Sequence, residues 1–361
     1  MQTSIPCSVI RGGTSKGLFF LATDLPADES TRDRVLVAAL GEDERQIDGI
    51  GGADPLTSKV AIVGRSSRAD ADIDYLFVQV VVGEGRVDTT PNCGNTLAGT
   101  GPFAIERGLF AVQGELTTVR VHMVNSGNLC ELIVQTPGGA VEYEGDTAIS
   151  GVPGTAAPII CNYLDVAGSI CGSLYPTGHA LDRIAGVDVT CVDNGMPVVV
   201  ARAADFGISG YESREELNSN AGLKEQVDRV RLAAGPRMNL GDVSKKVVPK
   251  LTLIAPPRSG GNVCSRTFIP RECHAAIGVL GAVSVATACI TPGSVAEGIA
   301  LVPPGATKRF SVEHPSGEFT VELDVGGTDA HPEILRAGLI RTARLIMSGE
   351  ILIPSSVWRG K

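Results

Sequence analysis

Aromatic residues are scarce in this 361-residue chain, at 4%, so its core cannot rest on stacked rings and must be built from Val, Ile, Leu and Ala. The nine cysteines are odd in number and scattered, and no C-x-x-C pair occurs among them. That excludes zinc-ribbon and thioredoxin-type chemistry, and a disulfide framework is not expected in a chain this long. No Lys/Arg-rich run is present and the net charge is −9, which excludes a nucleic-acid surface. An anionic small molecule stays open as a ligand, because a few local cations suffice to bind one. The chain begins Met1-Gln2-Thr3-Ser4-Ile5-Pro6, without a basic region followed by an apolar one. No secretory signal is therefore expected, and the default setting is a reduced cytoplasm. The uncharged stretch Ala275 to Ile290 falls short of the ~20 residues a membrane helix needs.

What the chain has in abundance is glycine, 44 residues, which implies many tight turns and close backbone approaches. With 43% apolar and 20% charged residues it reads as globular, and its length suits two domains. Most periodic segments read as strands: Ile73 to Val82, Val119 to Val124 and Phe319 to Val325, separated by Gly, Pro, Asn and Asp clusters. Two helices are predicted, over about Asn95 to Glu106 and about Glu272 to Ile290. The second has small residues at Gly278, Gly281, Ala282, Ala286 and Ala288 and is apolar on every side, as a helix wrapped by a curved sheet would be.

The two halves share a layout. A strand through Cys7 reaches the turn Gly12-Gly13 and continues into the apolar strand Leu18 to Leu21. Likewise Val189 to Gly195 is followed by Val198 to Val200. The spacing from Cys7 to the first helix near Cys93 matches that from Cys191 to the second near Ala276. This predicts a duplicated α+β arrangement of strands around a central helix, with residues 1–185 as one domain and 186–361 as the other. A last apolar helix is predicted over Glu333 to Ser348, packed across the join.

Chemistry concentrates in three N-terminal segments. Arg11-Gly12-Gly13-Thr14-Ser15-Lys16-Gly17 sets two cations and two hydroxyls among glycines, which suits an anion, although a solvated polar hairpin has the same composition. It lacks P-loop spacing. Gly13 to Gly17 formally matches the G-x-S-x-G hydrolase elbow, but a strand follows where the elbow needs a helix. Thr57-Ser58-Lys59 leads into the strand Val60 to Val63, and Lys59 becomes a candidate base if it faces a cleft. Pro91-Asn92-Cys93-Gly94-Asn95 stands at a predicted helix start, where thiolates and carboxylates are favoured. A polar collar around Cys93 is unlike a core position. In the second half, Ser265-Arg266-Thr267 makes Arg266 a candidate carboxylate clamp. By the pseudo-symmetry it should face the first half across the inter-domain cleft. His274 reads as a polar core residue, and His314 to Gly317 as a turn.

Taken in order, these motifs resemble those of the PrpF-type isomerases, whose fold resembles diaminopimelate epimerase. The resemblance runs through Arg11 to Gly17, Ile47 to Asp54, Thr57 to Lys59, Asn92 to Asn95, Gly101 to Ala104, Arg266 and His314 to Gly317. Within the family it is strongest to the branch acting on 4-oxalomesaconate in aromatic-acid breakdown. Methylaconitate and methylitaconate isomerases share the core motifs. The resemblance implies two tandem barrel-like domains, each around a central helix, with the site in the cleft between them. It implies catalytic Lys59 and Cys93, a di- or tricarboxylate substrate, and no metal or organic cofactor. It also implies a substrate-binding set of Arg11, Gly12, Thr14, Ser15, Lys16, Ser58, Asn92, Gly94, Asn95, Arg266, Thr267 and Ser316.

The reaction expected is an allylic proton shift, with Lys59 as base and Cys93 as acid or enolate stabiliser. Arg11, Lys16, Arg266 and the N–H groups of Gly94 and Asn95 would hold carboxylates. Rival readings are a two-cysteine racemase using Cys93 and Cys273, a Ser15 hydrolase, and a polycarboxylate-binding protein without turnover. A membrane partner is not expected, and a homodimer is the assembly entertained.

Overall fold

The computed structural model describes every residue except Pro91, Asp165, Asp329, Ala330 and Lys361, and of His331 and Pro332 the backbone alone. Its contacts divide the chain into two compact units, Met1–Leu164 with Ile340–Lys361, and Asp165–Leu339. The boundary expected near residue 185 thus lies some 20 residues earlier. The reason is local: the Asp193 carboxylate accepts the N–H groups of Ile170 and Cys171, and its carbonyl accepts that of Gly168. This ties the Gly-rich stretch to the strand that follows.

The first unit contains β1 (Gln2–Gly12), β2 (Ser15–Leu21), α1 (Glu29–Leu40), β3 (Lys59–Arg65), β4 (Ile73–Val81), β5 (Arg86–Asp88), α2 (Gly94–Ala98), α3 (Thr100–Glu106), β6 (Leu116–Met123), β7 (Asn128–Gln135) and β8 (Pro158–Tyr163). β1 and β2 form an antiparallel hairpin, β3 runs parallel to β2, and β4 returns antiparallel to β3. Alternation along the strands gives this sheet two faces. On one, Val9, Leu18, Val60, Ile62 and Val78 pack with Val35, Leu36 and Leu40 of α1. The other carries Ile10, Phe19, Ala61 and Phe77 and receives α2 and α3, where Phe19 meets Phe103.

The second unit repeats the plan. It contains β9 (Asp182–Ile184), β10 (Val187–Asp193), β11 (Pro197–Arg202), α4 (Arg214–Ser219), α5 (Ala221–Arg237), β12 (Lys250–Ala255), β13 (Val263–Phe268), α6 (Val279–Ile290), β14 (Thr307–His314) and β15 (Gly317–Thr328). Again the hairpin β10–β11 is followed by a parallel β12 and an antiparallel β13. One face packs α5 through Val227, Val230 and Ala234 against Val199, Leu251 and Leu253. The other takes α6, whose residues from Gly281 to Ile290 are all buried. Each Val sealed in this way contributes ~1.5–3 kcal/mol of burial, which is how a helix without charge holds its place.

Three expected helices differ. The first is two short helices meeting at Gly99, because Pro102 cannot donate to the Ala98 carbonyl as a continuous helix would require. The second begins only at Val279, since Cys273 bridges back to Phe268 and the His274 N–H bonds the Thr267 carbonyl. The third is not a helix at all. Glu333 to Ser348 lies within β16 (His331–Pro354), which pairs antiparallel with β15 and then with β1. Register shifts at Asp324/Val325 and at Val9/Ile10 mark irregularities in both pairings. Such bulges break strict alternation, so paired apolar residues such as Ile334-Leu335 and Leu345-Ile346 imitate a helical stripe.

Candidate active site

Lys59 opens β3, where the parallel register sets it beside Gly17 and the antiparallel register beside Gln79. Its neighbours two and four residues on, Ala61 and Val63, share its face, which is the face that receives α2 and α3. The residue is 8% exposed, and its Nζ donates to Gln79 Oε1 at 2.7 Å and sits 5.0 Å from the centre of the Phe77 ring. Gln79 is itself anchored, its amide nitrogen lying within 3.2 Å of the carbonyls of Pro55, Ser58 and Val80. Lys59 is therefore held at a defined position rather than waving from a strand end.

Cys93 caps the N-terminus of α2 and, among the described residues, is the one cysteine of nine that is not buried. Thr96 Oγ1 donates to its sulfur at 3.2 Å, and Tyr75 Oη donates to its carbonyl at 3.1 Å. Tyr75 and Phe77 alternate along one face of β4, so the residue that anchors Cys93 neighbours the ring beneath Lys59. Cys93 thus lies over the sheet face that carries Lys59.

The glycine turn is built around Asn95. Asn95 Nδ2 donates to Thr14 Oγ1 at 2.9 Å. A Cβ on Gly12 would run into the Asn95 carbonyl, and one on Gly13, whose φ is +52°, into its side-chain oxygen. Ser15, on the same face as Gly12, is buried with no partner for its hydroxyl among the described residues. No helix follows it, so the hydrolase elbow is absent.

Arg11 and Lys16 point the other way. They pair with each other across the hairpin, as Arg11 does with Arg344, on the face shared by Val9 and Leu18. Arg11 donates to the carbonyls of Gly13 and Thr342 and to Thr342 Oγ1. Burial first, and Arg344 second, lower its pKa below the ordinary arginine value. Ser58 is fully buried, within 2.9 Å of Gln46 Oε1 and the Asp54 carbonyl, and so supports the loop ahead of Lys59. Asn92 is exposed, Gly94 begins α2, and Pro91 lies outside the described residues.

In the second unit Arg266 is 7% exposed and donates to the carbonyls of Glu212 and Ser265 and to the Cys264 sulfur. Its alternation with Cys264 and Phe268 places it on the face that packs α5. Thr267 pairs its hydroxyl with that of Thr252 at 3.0 Å, and exposed Ser316 donates to the Ala275 carbonyl. Cys273 is sealed in the core, where burial pushes its thiol up to about 11. His314 is held below the ordinary histidine pKa, chiefly by burial, with His274 and Arg266 adding to the effect.

Sequence reasoning missed Gln79, Tyr75, Thr96 and Arg341. Gln79 could have been found, since a lone amide inside the apolar run Leu76 to Val82 is a signal. Arg341 could not, because its face depends on β16. The register Gly12↔Ala343 puts it on the Lys59 face, 6% exposed, where its charge acts on Cys161 and Tyr163 against their burial.

Comparison with known proteins completes the picture. The model of a family described as PrpF protein matches residues 2–354. A 4-oxalomesaconate tautomerase of Pseudomonas putida is 57% identical over 360 residues, covering 99% of each chain. A (4E)-oxalomesaconate Delta-isomerase of Novosphingobium sp. is 56% identical, covering 97% of this chain and 98% of the relative. The crystal structure of a methylitaconate-delta-isomerase superposes with a TM-score of 0.86 at 32% identity, covering 99% and 97% of the two chains.

Proposed function

The chain belongs to the PrpF protein family, an isomerase family of diaminopimelate epimerase-like fold, and we propose that it isomerises 4-oxalomesaconate by a proton shift without help from a second substrate. The observation that carries this reading is full-length identity of 56–57% to two relatives named for that acid. The methylitaconate isomerase is more distant, at 32%, and its acid is the second candidate.

The chemistry follows from the residues on the Lys59 face. Lys59 Nζ, as free amine, takes a proton from the carbon beside a carbonyl group. The electron pair of that C–H bond moves into the conjugated system and gives a dienolate. The Cys93 thiol then delivers its proton to the far end of that system, and the double bond ends one position along. One proton leaves and one arrives, so the formula of the acid is unchanged. The ammonium and thiolate reset by proton exchange with solvent. Gln79 and Phe77 fix the amine, while Thr96 fixes the sulfur and stabilises the thiolate as it forms. Positive charge for the dienolate comes from Arg341 on the same face. General acid–base catalysis of this kind is worth ~10²–10⁴-fold for each group.

The test is ultraviolet absorbance of the acid mixed with wild-type protein, Lys59→Ala and Cys93→Ser, repeated in deuterated water. The expected result is a shift of the conjugated-acid band by wild type, with deuterium entering the product and at least a 10²-fold loss in each variant. Full activity in Lys59→Ala would reject the assignment of roles. No turnover of 4-oxalomesaconate, with turnover of methylitaconate, would transfer the reading to the second acid.

A further inference from the structure

The loop ahead of Lys59, residues 41–58 between α1 and β3, is built around one side chain. Gln46 is 2% exposed and lies in the left-handed region, at φ +49°. Residues other than glycine rarely take that backbone, so Gln46 is held there by its contacts. A Cβ on Gly51 would run into Gln46 Oε1, and one on Gly41 would stand 2.7 Å from Gln46 Cα. Both glycines therefore leave the room that this amide fills.

The contacts lead to the amine. Gln46 Oε1 accepts the Ala53 N–H at 2.8 Å and the Ser58 hydroxyl at 2.7 Å. A backbone N–H can only donate, which fixes the oxygen end of the amide. The Ser58 carbonyl in turn accepts Gln79 Nε2 at 2.9 Å and the Val80 N–H at 3.0 Å. Carbonyls of Pro55 and Val80 face the same Gln79 nitrogen, so this amide cannot flip and its oxygen must meet Lys59 Nζ. Pro55 and Ser58 both belong to the loop. One buried amide thus shapes the loop, the loop orients Gln79, and Gln79 orients the amine.

We propose that Gln46 is a positioning residue for Lys59, acting through Ser58 and Gln79 rather than on the substrate. The inference rests on Lys59 as base in the reaction proposed above. Without the Gln46 oxygen, the Ala53 N–H loses its acceptor and the Ser58 hydroxyl keeps only the Asp54 carbonyl. The Lys59 amine then loses its fixed position, while Cys93 and Arg341 stand on other elements and keep theirs. A loss in kcat with KM retained is the signature of that change.

Three variants test it. Gln46→Met keeps the length and removes the acceptor, Gln46→Glu keeps an acceptor oxygen, and Ser58→Ala deletes the same bond from its other end. Steady-state kinetics by ultraviolet absorbance are measured on these, on the double variant Gln46→Met/Ser58→Ala and on Lys59→Ala, with folding checked by circular dichroism. In Gln46→Met, kcat is expected to fall about ten-fold or more with KM within about three-fold of wild type. Gln46→Glu should recover most of that loss, and the double variant should be no slower than the slower single, since both act through one bond. A folded Gln46→Met protein with kcat within about three-fold of wild type, beside an inactive Lys59→Ala, overturns the inference and leaves Lys59 as base. Gln46→Glu as slow as Gln46→Met overturns it too, because packing rather than the acceptor would then be at work. Full activity in Lys59→Ala overturns the reading of Lys59, and the inference with it. Should Gln46→Met fail to fold, Ser58→Ala decides by the same kcat criterion. Should wild type turn over neither 4-oxalomesaconate nor methylitaconate, acetylation of Lys59 by acetic anhydride decides, mapped by peptide against exposed Lys245. Faster labelling of Lys59 in Gln46→Met, by about three-fold or more, upholds the inference, and an equal ratio overturns it.

Discussion

Gly17→Ala is the substitution by which the placement of Lys59 is most sharply tested. Gly17 lies beside Lys59 in the parallel pair of β2 and β3. A Cβ at residue 17 would stand 2.9 Å from the Lys59 carbonyl carbon, nearer still to its oxygen, and 3.2 Å from the Lys59 Cβ. Ordinary contact begins at 3.4 Å, so the Lys59 carbonyl must retreat by about 1.0 Å at its oxygen, from 2.4 to 3.4 Å. Backbone cannot rotate away as a side chain can, and the shift carries Nζ with it, against the bond to Gln79. Catalytic groups tolerate about 0.5 Å of displacement, and ~1 Å costs ~10²-fold. A loss of about 10- to 100-fold in kcat is therefore expected, equivalent to ~1.4–2.7 kcal/mol of barrier. Stability should fall by ~1–3 kcal/mol, the usual effect of overpacking. The assay is initial rate by ultraviolet absorbance beside urea unfolding monitored by circular dichroism. A folded Gly17→Ala protein with kcat within three-fold of wild type would refute the claim that Lys59 must sit where β2 holds it.

Four further outcomes follow from the same geometry. Gln79→Leu, which removes the acceptor for Lys59 Nζ, should lower kcat by about 10-fold or more while the far-ultraviolet dichroism stays as in wild type. Iodoacetamide at pH 8 should modify native protein at Cys93 first, by peptide mapping, because the other eight cysteines are buried and several, such as Cys7 at about 11, are pushed up by burial. Thr96→Val, which deletes the bond to the sulfur, should slow that alkylation at fixed pH, and an unchanged rate would remove Thr96 from the mechanism. Asp228→Asn should cost about 3–5 kcal/mol at pH 7 by leaving Arg231 buried without its carboxylate. Burial alone would raise the Asp228 carboxyl, but hydrogen bonds from Arg271 and Arg231 outweigh it and hold the folded pKa low. The stabilisation is thus complete above the unfolded value of ~3.9 and is lost as pH falls through the folded value. Urea midpoints of variant and wild type should converge between pH 4 and pH 2, and a constant gap would contradict the pairing.

Legibility in the sequence tracked how local each cause was. The strands expected over Ile73 to Val82 and Val119 to Val124 announce themselves by β-branched residues and turn-forming neighbours, and the structure has strands at Ile73–Val81 and Leu116–Met123. The doubling of the fold showed in two Gly turns and two uncharged segments at matching intervals. Element ends were less readable. Whether the chain turns helical at Glu272 or at Val279 depends on Cys273 finding Phe268 across a bridge, which no local propensity expresses. The tail from Glu333 was misread for a comparable reason, since its conformation is set by β15 and β1, strands remote in sequence.

By itself the sequence determined the chemistry available: a lysine at a strand start, a cysteine in a polar collar, glycines where Asn95 needs room, and a net charge of −9. Tertiary structure decided which of these groups lie together. Side chains on a strand alternate between faces, so membership of a site is a matter of register. That register puts Lys59 and Arg341 on the face of the first unit's sheet over which α2 carries Cys93, and turns Arg11 and Lys16 to the other. Pairing between strands far apart in the chain is set by global packing, which is why a residue's type could be read from the sequence and its company could not.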